Sequence, residues 1–337
     1  MRPFVYDRAE DIAQAVRLGR ETGQGQTLAA TQYLAGGTTL VDLMKLDVLR
    51  PERLVDLKAL RGQYAAIEAG PSGLHLGALA HMSDVPEHPA VRRDYPAIAQ
   101  ALDLAASPQL RNMATLGGNV LQRTRCTYFR DTSWAACNKR SPGSGCAALG
   151  GVNRNHAVLG VDDSCIALYP GDLACAFAAL DARVELAGPD GARAIAVEDL
   201  HRPAEGRPHI ETTLRPGEII TGFSVPAAPW TRRSLYLKIR DRASYEFALA
   251  SAAVALDLDG DRVREARIAL GGVHYRPRRS RDAEALLVGK PLTEASAEAA
   301  AHAAFAGAVV RDGNAYKPEL GRRTLVRALL QARAMEA

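Results

Sequence analysis

No stretch of this chain approaches the roughly 18 consecutive apolar residues that a membrane-spanning helix needs, so no span is expected. The opening residues, Met1-Arg-Pro-Phe-Val-Tyr-Asp7, lack the apolar core of a signal peptide, which predicts a chain with no secretion address of its own. Cysteine is scarce: five in 337 residues cannot build a disulfide scaffold. Charge of one sign is scarce as well, since 42 basic against 38 acidic residues leave only +4, dispersed along the chain, and nucleic acid is not an expected partner. G-x-G-x-x-G and P-loop spacings are both missing, which removes the Rossmann and NTPase readings, and no solenoid-type repeat occurs. What remains is a chain whose 47% hydrophobic content can bury a real core, long enough for about two or three domains.

Periodicity places the elements. Asp7 with Glu10 resembles a capping box ahead of a helix over residues 8–21. Gln32-Tyr-Leu-Ala35 reads as a strand that runs into the turn Gly36-Gly37-Thr38-Thr39, an amphipathic helix through Leu40, Leu43, Met44 and Leu46, and a second strand at Leu54-Val-Asp-Leu57. Residues 65–69 and 74–78 form a hairpin about Gly70-Pro-Ser-Gly73, and a helix follows over about 95–106. A second glycine turn stands at Gly117-Gly118. From 121 to 165 there is no periodicity, a length uncommon inside a compact chain unless something other than a core supports it. Order resumes with a helix over 172–180, strands at 182–186, 192–197 and 217–225, and the linker Pro226-Ala-Ala-Pro229, where a domain boundary is expected. Beyond it come strands at 234–240, 252–258 and 263–270, the last two joined at Asp259-Gly260, and helices over about 294–310 and 319–335.

Two features carry chemistry. Ala35-Gly-Gly-Thr-Thr39 and Leu116-Gly-Gly-Asn119 are glycine turns flanked by small hydroxyl or amide residues; glycine lets the backbone approach a pyrophosphate, and Thr38, Thr39, Thr115 and Asn119 can add hydrogen bonds. Four of the five cysteines, Cys126, Cys137, Cys146 and Cys165, fall in one 40-residue window, which points to ligation more than to cross-linking. With no C-x-x-C pair and gaps of 10, 8 and 18 residues, these thiols alone admit a metal cluster, a structural zinc site, two disulfides or four free thiols. Cys175, within Ala174-Cys-Ala-Phe-Ala178, reads as a small core residue. Arg123, Arg125, Arg130, Lys139, Arg140 and Arg154 share the segment, as tuning charges or as surface charges. Asp172 reads as a helix N-cap, Lys238 as an exposed strand lysine and His156 as a loop residue.

The motifs Leu34-Ala-Gly-Gly-Thr-Thr-Leu40, Arg111-Asn-Met-Ala-Thr-Leu-Gly-Gly-Asn119 and Tyr169-Pro-Gly-Asp-Leu-Ala174 together resemble the FAD-binding subunit of the xanthine dehydrogenase family of molybdenum hydroxylases, over essentially the whole chain. The cysteine segment, with Arg125-Cys-Thr-Tyr-Phe-Arg130 and Asn153-Arg-Asn-His-Ala157, is similar to the branch of bacterial periplasmic aldehyde oxidoreductases whose flavin subunit also holds a [4Fe-4S] cluster. The resemblance implies an α+β, vanillyl-alcohol-oxidase-like FAD-binding fold of two subdomains, residues 1–58 and 59–226, with a [4Fe-4S] insertion at about 121–165 and a C-terminal α/β domain of the CO dehydrogenase flavoprotein type over 230–337. It implies non-covalent FAD on Ala35, Gly36, Gly37, Thr38, Thr39, Leu40, Asn112, Thr115, Gly117, Gly118, Asn119, His156, Asp172 and Lys238, and the cluster on Cys126, Cys137, Cys146 and Cys165. It further implies two partners, a large molybdenum-cofactor subunit and a small subunit with [2Fe-2S] clusters, whose electrons pass through FAD to an external acceptor. The compartment then follows the partner: periplasmic where a signal-bearing partner exports the complex, otherwise cytoplasmic. The alternatives are a stand-alone iron-sulfur or zinc redox sensor and an independent flavin oxidase.

Overall fold

The computed structural model describes residues 1–21 and 26–336. Three sheets organise it. The first is parallel and small: β1 (Val5–Arg8), β2 (Thr31–Leu34) and β3 (Arg53–Asp56), in the order β1-β3-β2. β1 replaces the start expected for the first helix. Its residues lie beside 53–56, with Asp7 paired to Arg53 and the Tyr6 hydroxyl donating to Asp56, so the capping role passes to Asp11. The Asp11 carboxylate accepts from the Gln14 N–H at 2.6 Å and the helix runs Ile12–Leu18.

The second sheet is antiparallel. It comprises β4 (Ile67–Gly70), β5 (Gly73–Gly77), β6 (Arg183–Gly188), β7 (Gly191–Ala196) and β8 (Ile219–Pro226), in the order β4-β5-β8-β6-β7. Both expected hairpins close where the glycines stand, Gly70 opposite Gly73 and Gly188 opposite Gly191. Leu74, Leu76, Val184 and Phe223 pack against the helices Pro96–Asp103 and Asp172–Ala179. Every residue of the latter is buried, because it lies between this sheet and the next.

The third sheet is a meander of β9 (Ser234–Ile239), β10 (Ala250–Asp259) and β11 (Arg262–Gly271). β10 is apolar without alternation because both faces are covered: Ala253 and Ala255 join the core around the Asp172–Ala179 helix, while Ala252, Val254 and Leu256 meet the C-terminal helices. Those helices are Arg281–Leu287, which periodicity did not reveal, Glu294–Ala304 and Lys317–Arg333. The second ends before the expected 310 because the Val309 N–H donates to the Val158 carbonyl, drawing the chain out of the helix.

Lys317 is fully buried and donates to the carbonyls of Leu249 (2.9 Å) and Gly272 (2.5 Å), tying the ends of β10 and β11 to the last helix. Burial pushes its pKa down to about 7, with Arg154 adding to the effect. A depressed lysine leaves the folded state with fewer bound protons than the unfolded state between about pH 7 and the ordinary lysine value near 10.4, so stability rises with pH across that window. Lys317→Met is expected to abolish this rise in urea unfolding between pH 7 and 10. An unchanged pH slope would show that the ammonium is not the source.

Candidate functional site

The two glycine turns, about 80 positions apart in sequence, meet in space. A Cβ on Gly36 would lie 2.0 Å from the Met113 carbonyl oxygen, so Gly36 is required by the close approach of residues 113–114. Gly37 adopts φ +74°, the left-handed conformation that glycine takes at no steric cost. In the second turn, Thr115 caps the short helix Leu116–Val120, its hydroxyl accepting from the Gly118 N–H at 3.3 Å. The Leu116 and Gly117 N–H groups donate to Ala80 and Ala78.

The amides of the two turns therefore differ. Those of residues 116–119 are all used within the protein. Among the described residues, the N–H groups of Gly36, Gly37, Thr38 and Thr39 have no acceptor. Four consecutive unpaired amides are free donors of the kind that phosphate sites use.

They line a cavity of about 620 Å3, within the range of cofactor pockets. Ala35, Gly36, Gly37, Thr38, Thr39, Leu40, Thr115, Gly117 and Gly118 all face it. Asn112, Asn119, His156, Asp172 and Lys238 are not part of the lining. Asn112 is exposed at the end of a helical turn, and the Oδ1 of Asn119 is buried without a partner. Asp172 is the first residue of its helix rather than its cap, which is Gly171. Its buried carboxylate takes a hydrogen bond from the Tyr236 hydroxyl and an ion pair with Lys238 at 2.8 Å. Lys238 is thus no exposed strand lysine: its side chain is 1% exposed and also donates to the Leu104 carbonyl. Burial raises the Asp172 pKa against the opposing pull of Lys238. The pair joins the Asp172–Ala179 helix to β9 of the third sheet.

The same cavity is also lined by a charged wall that the sequence did not reveal. Glu211 pairs with Arg123 and, at 2.6 Å, with Lys139, whose ammonium also donates to the Tyr275 hydroxyl at 2.9 Å. Burial would raise the Glu211 pKa, but Arg123 and Lys139 outweigh it and hold the carboxyl below its ordinary range. Burial likewise opposes the Lys139 charge, and Glu211 leads the groups that raise its pKa nonetheless. His201, on the same wall, is driven by burial to about 4 and stays neutral. The basic residues were visible in the sequence; Glu211, 72 positions after Lys139, carried no local signal.

Lys139 and Ala167 also line a second, much smaller cavity, of about 10 Å3, around which Cys126, Cys137, Cys146 and Cys165 all gather. None of the four forms a disulfide, and Cys137 and Cys146 face each other across an antiparallel bridge. Burial pushes the Cys126 thiol up to about 12 and the Cys165 thiol to about 11, so a metal would have to displace their protons. The donor set suits an iron-sulfur centre in its chemistry. Its spacing is not that of a closed ligand shell: among the described residues no group of three or more His, Cys, Asp or Glu is placed to hold a metal ion.

The segment around the thiols is mostly loop, with one helical turn at Thr127–Arg130, and its basic residues are structural. Arg125 and Arg130 pair with Asp42, Arg154 with Asp241, and Arg140 donates to the carbonyls of Tyr128 and Phe129. His156 is buried against Cys126, and burial together with Lys317 lowers its pKa to about 4. Cys175 is a core residue of the Asp172–Ala179 helix.

A glycine-lined dinucleotide-sized cavity between a small parallel sheet and an antiparallel one, backed by a separate meander with helices, defines a class of flavoprotein. Residues 2–228 match the family described as FAD binding domain in molybdopterin dehydrogenase, residues 235–332 match the CO dehydrogenase flavoprotein C-terminal domain, and the chain belongs to this family as an FAD-binding medium subunit of the molybdenum hydroxylases. It is 44% identical, over 99% of both chains, to the aldehyde oxidoreductase FAD-binding subunit PaoB of Escherichia coli (strain K12). The carbon monoxide dehydrogenase medium chain of Afipia carboxidovorans is 27% identical, with 99% of this chain and 96% of that one covered. Among solved structures, reconstituted CO dehydrogenase from Oligotropha carboxidovorans superposes with a TM-score of 0.75 at 27% identity over the full length of both chains. The chain is accordingly the flavin subunit of an oxidoreductase complex. No helix among the described residues is long and apolar enough to cross a membrane.

Proposed function

We propose that this chain is the electron-transfer subunit of a heteromeric molybdenum-dependent aldehyde oxidoreductase, binding FAD in the larger cavity and a [4Fe-4S] cluster on Cys126, Cys137, Cys146 and Cys165. The observation that carries the flavin assignment is the run of unpaired amides at Gly36, Gly37, Thr38 and Thr39 on the cavity surface, which fits a pyrophosphate. Thr115, Gly117 and Gly118 line the same cavity with donors already spent within the protein, and Glu211, Arg123 and Lys139 line it as well. When bound, the flavin supplies the redox chemistry, accepting electrons that originate in partner subunits and passing them to an external acceptor. The protein's part is to orient the cofactor and surround it with fixed charge. Asp172 and Lys238 hold the third sheet against the flavin-binding half, acting on position rather than by contact. A division at about 58 and at 226–230 follows the three sheets.

The cluster assignment is supported by the convergence of four unpaired thiols on one cavity and by its shared wall, Lys139 and Ala167, with the flavin cavity. The large molybdenum and small [2Fe-2S] partners are what the resemblance to the molybdenum hydroxylase family implies, and the aldehyde substrate follows the similarity to the aldehyde oxidoreductase FAD-binding subunit named above. Denaturing the purified complex and analysing what it releases tests the reading. FAD together with iron and acid-labile sulfide attributable to this chain is expected; a colourless protein with stoichiometric zinc would overturn it.

A further inference from the structure

We propose that Cys137 and Cys146 form a reversible cross-strand disulfide when no metal occupies the four thiols. The two residues face each other across an antiparallel bridge. Its hydrogen bonds flank the cysteines rather than join them: the Ala147 N–H donates to the Ala136 carbonyl at 2.9 Å, and the Asn138 N–H to the Gly145 carbonyl at 2.7 Å. This is the non-hydrogen-bonded kind of antiparallel pair, in which the α-carbons stand about 4.5 Å apart and the side chains leave the same face. A disulfide spans roughly 4.4–6.8 Å between α-carbons, so the pair can close with little backbone movement. Among the described residues the four thiols together are not spaced as a ligand shell, yet these two are spaced for a bond to each other. The disulfide does not depend on the cluster reading: a centre on the same sulfurs would exclude it, and the two belong to different states of the chain.

The loop between the two cysteines is fixed by its own bonds. The Cys137 N–H donates to the Ser144 hydroxyl at 3.0 Å, that hydroxyl donates to the Ser141 carbonyl at 2.7 Å, and the Asn138 side chain accepts from the Gly145 N–H at 2.8 Å. Among the described residues, neither of the other two gathered thiols shares a register with a cysteine: Cys126 leads into the turn Thr127–Arg130, and Cys165 closes a turn onto Asp162. Cys146 is partly exposed and Cys137 buried, so Cys146 meets an oxidant first. With hydrogen peroxide as that oxidant, the Cys146 sulfur attacks one peroxide oxygen; the O–O bond breaks, an S–O bond forms, and water leaves with the thiol proton. The Cys137 sulfur then displaces the sulfenic hydroxyl, which takes the second thiol proton and leaves as water while the S–S bond forms. The two sulfurs lose two electrons and the peroxide gains them. Lys139 lies inside the loop so closed, and its ammonium pairs with Glu211 at 2.6 Å on the flavin cavity wall, so oxidation braces one side of that cavity.

Peptide mapping of the full wild-type chain decides between pairings. The protein is stripped of metal with a chelator, reduced, treated with hydrogen peroxide, alkylated, and digested with trypsin without reduction. Trypsin cuts between the two cysteines, so their bond appears as Asp131–Lys139 joined to Ser141–Arg154, a product that dithiothreitol splits. In folded protein, with an unchanged size-exclusion profile, this product is expected to be at least about tenfold more abundant than any other cysteine pairing. In urea, Cys126–Cys137 should form to a comparable extent, because spans of 9 and 11 positions differ only about 1.4-fold in ease of closure. A folded chain that gives Cys126–Cys137 or Cys126–Cys165 as readily, or that oxidises without any disulfide, overturns the proposal. So does the same tenfold preference in urea, which would trace the pairing to local sequence and not to the bridge. Iron and acid-labile sulfide in the purified chain bear on the cluster reading and leave this outcome unchanged.

Discussion

Gly37→Val is expected to lower the ratio of FAD to protein at least tenfold while leaving the iron content unchanged. The turn needs φ +74° at this position, and an added Cβ would sit 3.2 Å from both Leu34 and Val41. A β-branched residue held there costs about 1–3 kcal/mol, and 1.4 kcal/mol is already tenfold in binding. If the backbone escapes to negative φ instead, the amides of Gly36, Gly37, Thr38 and Thr39 no longer converge and the phosphate site is lost. Either route removes flavin before it removes fold, because the Cβ meets only side-chain methyl groups. Gly36→Ala is the contrasting case: its Cβ would collide with a backbone carbonyl at 2.0 Å, so loss of soluble folded protein is expected. Flavin released on denaturation, measured beside a size-exclusion profile, separates the two. Full FAD retention in Gly37→Val would contradict the pyrophosphate assignment.

Glu211→Gln should be the most destabilising single change in the cavity wall, at about 3–5 kcal/mol, because it strands two buried cations. Arg123 and Lys139 have side chains 9% and 4% exposed, and both are neutralised chiefly by this carboxylate. Adding Lys139→Met to Glu211→Gln is expected to restore part of the loss, since it removes one of the uncompensated charges. The pH dependence has a definite sign. Glu211 is held below the ordinary carboxylate value, so its contribution is present above roughly pH 4 and fades as pH falls through its folded-state pKa. The stability gap between wild type and variant should therefore narrow on acidification. Equal unfolding midpoints at neutral pH would show that the wall does not depend on this carboxylate.

Much of the architecture was legible where one residue type dictates one local geometry. Both hairpins closed at their glycines, the Asp172–Ala179 helix followed its apolar run, and the meander turned at Asp259-Gly260. The errors lie where tertiary pairing overrode local preference. Residues 5–8 became a strand because residues 53–56 offered an open parallel edge, and the 294–304 helix stopped short because Val158 captured Val309. Lys238 read as exposed because a strand lysine in isolation points to water; only the fold brings Asp172 to it.

The site divides along the same line. Sequence by itself determined that two glycine turns and four clustered thiols exist, since no other residue has glycine's backbone freedom or the thiol's softness as a ligand. Tertiary structure decided which turn keeps free amides, because spare N–H groups depend on whether residues 78 and 80 supply acceptors nearby. It also decided that Glu211 lies between Arg123 and Lys139, and that His156 turns toward Cys126 rather than toward the larger cavity. These are contacts between positions tens of residues apart. Their energies come from burial and charge neutralisation, which no local stretch of the chain contains.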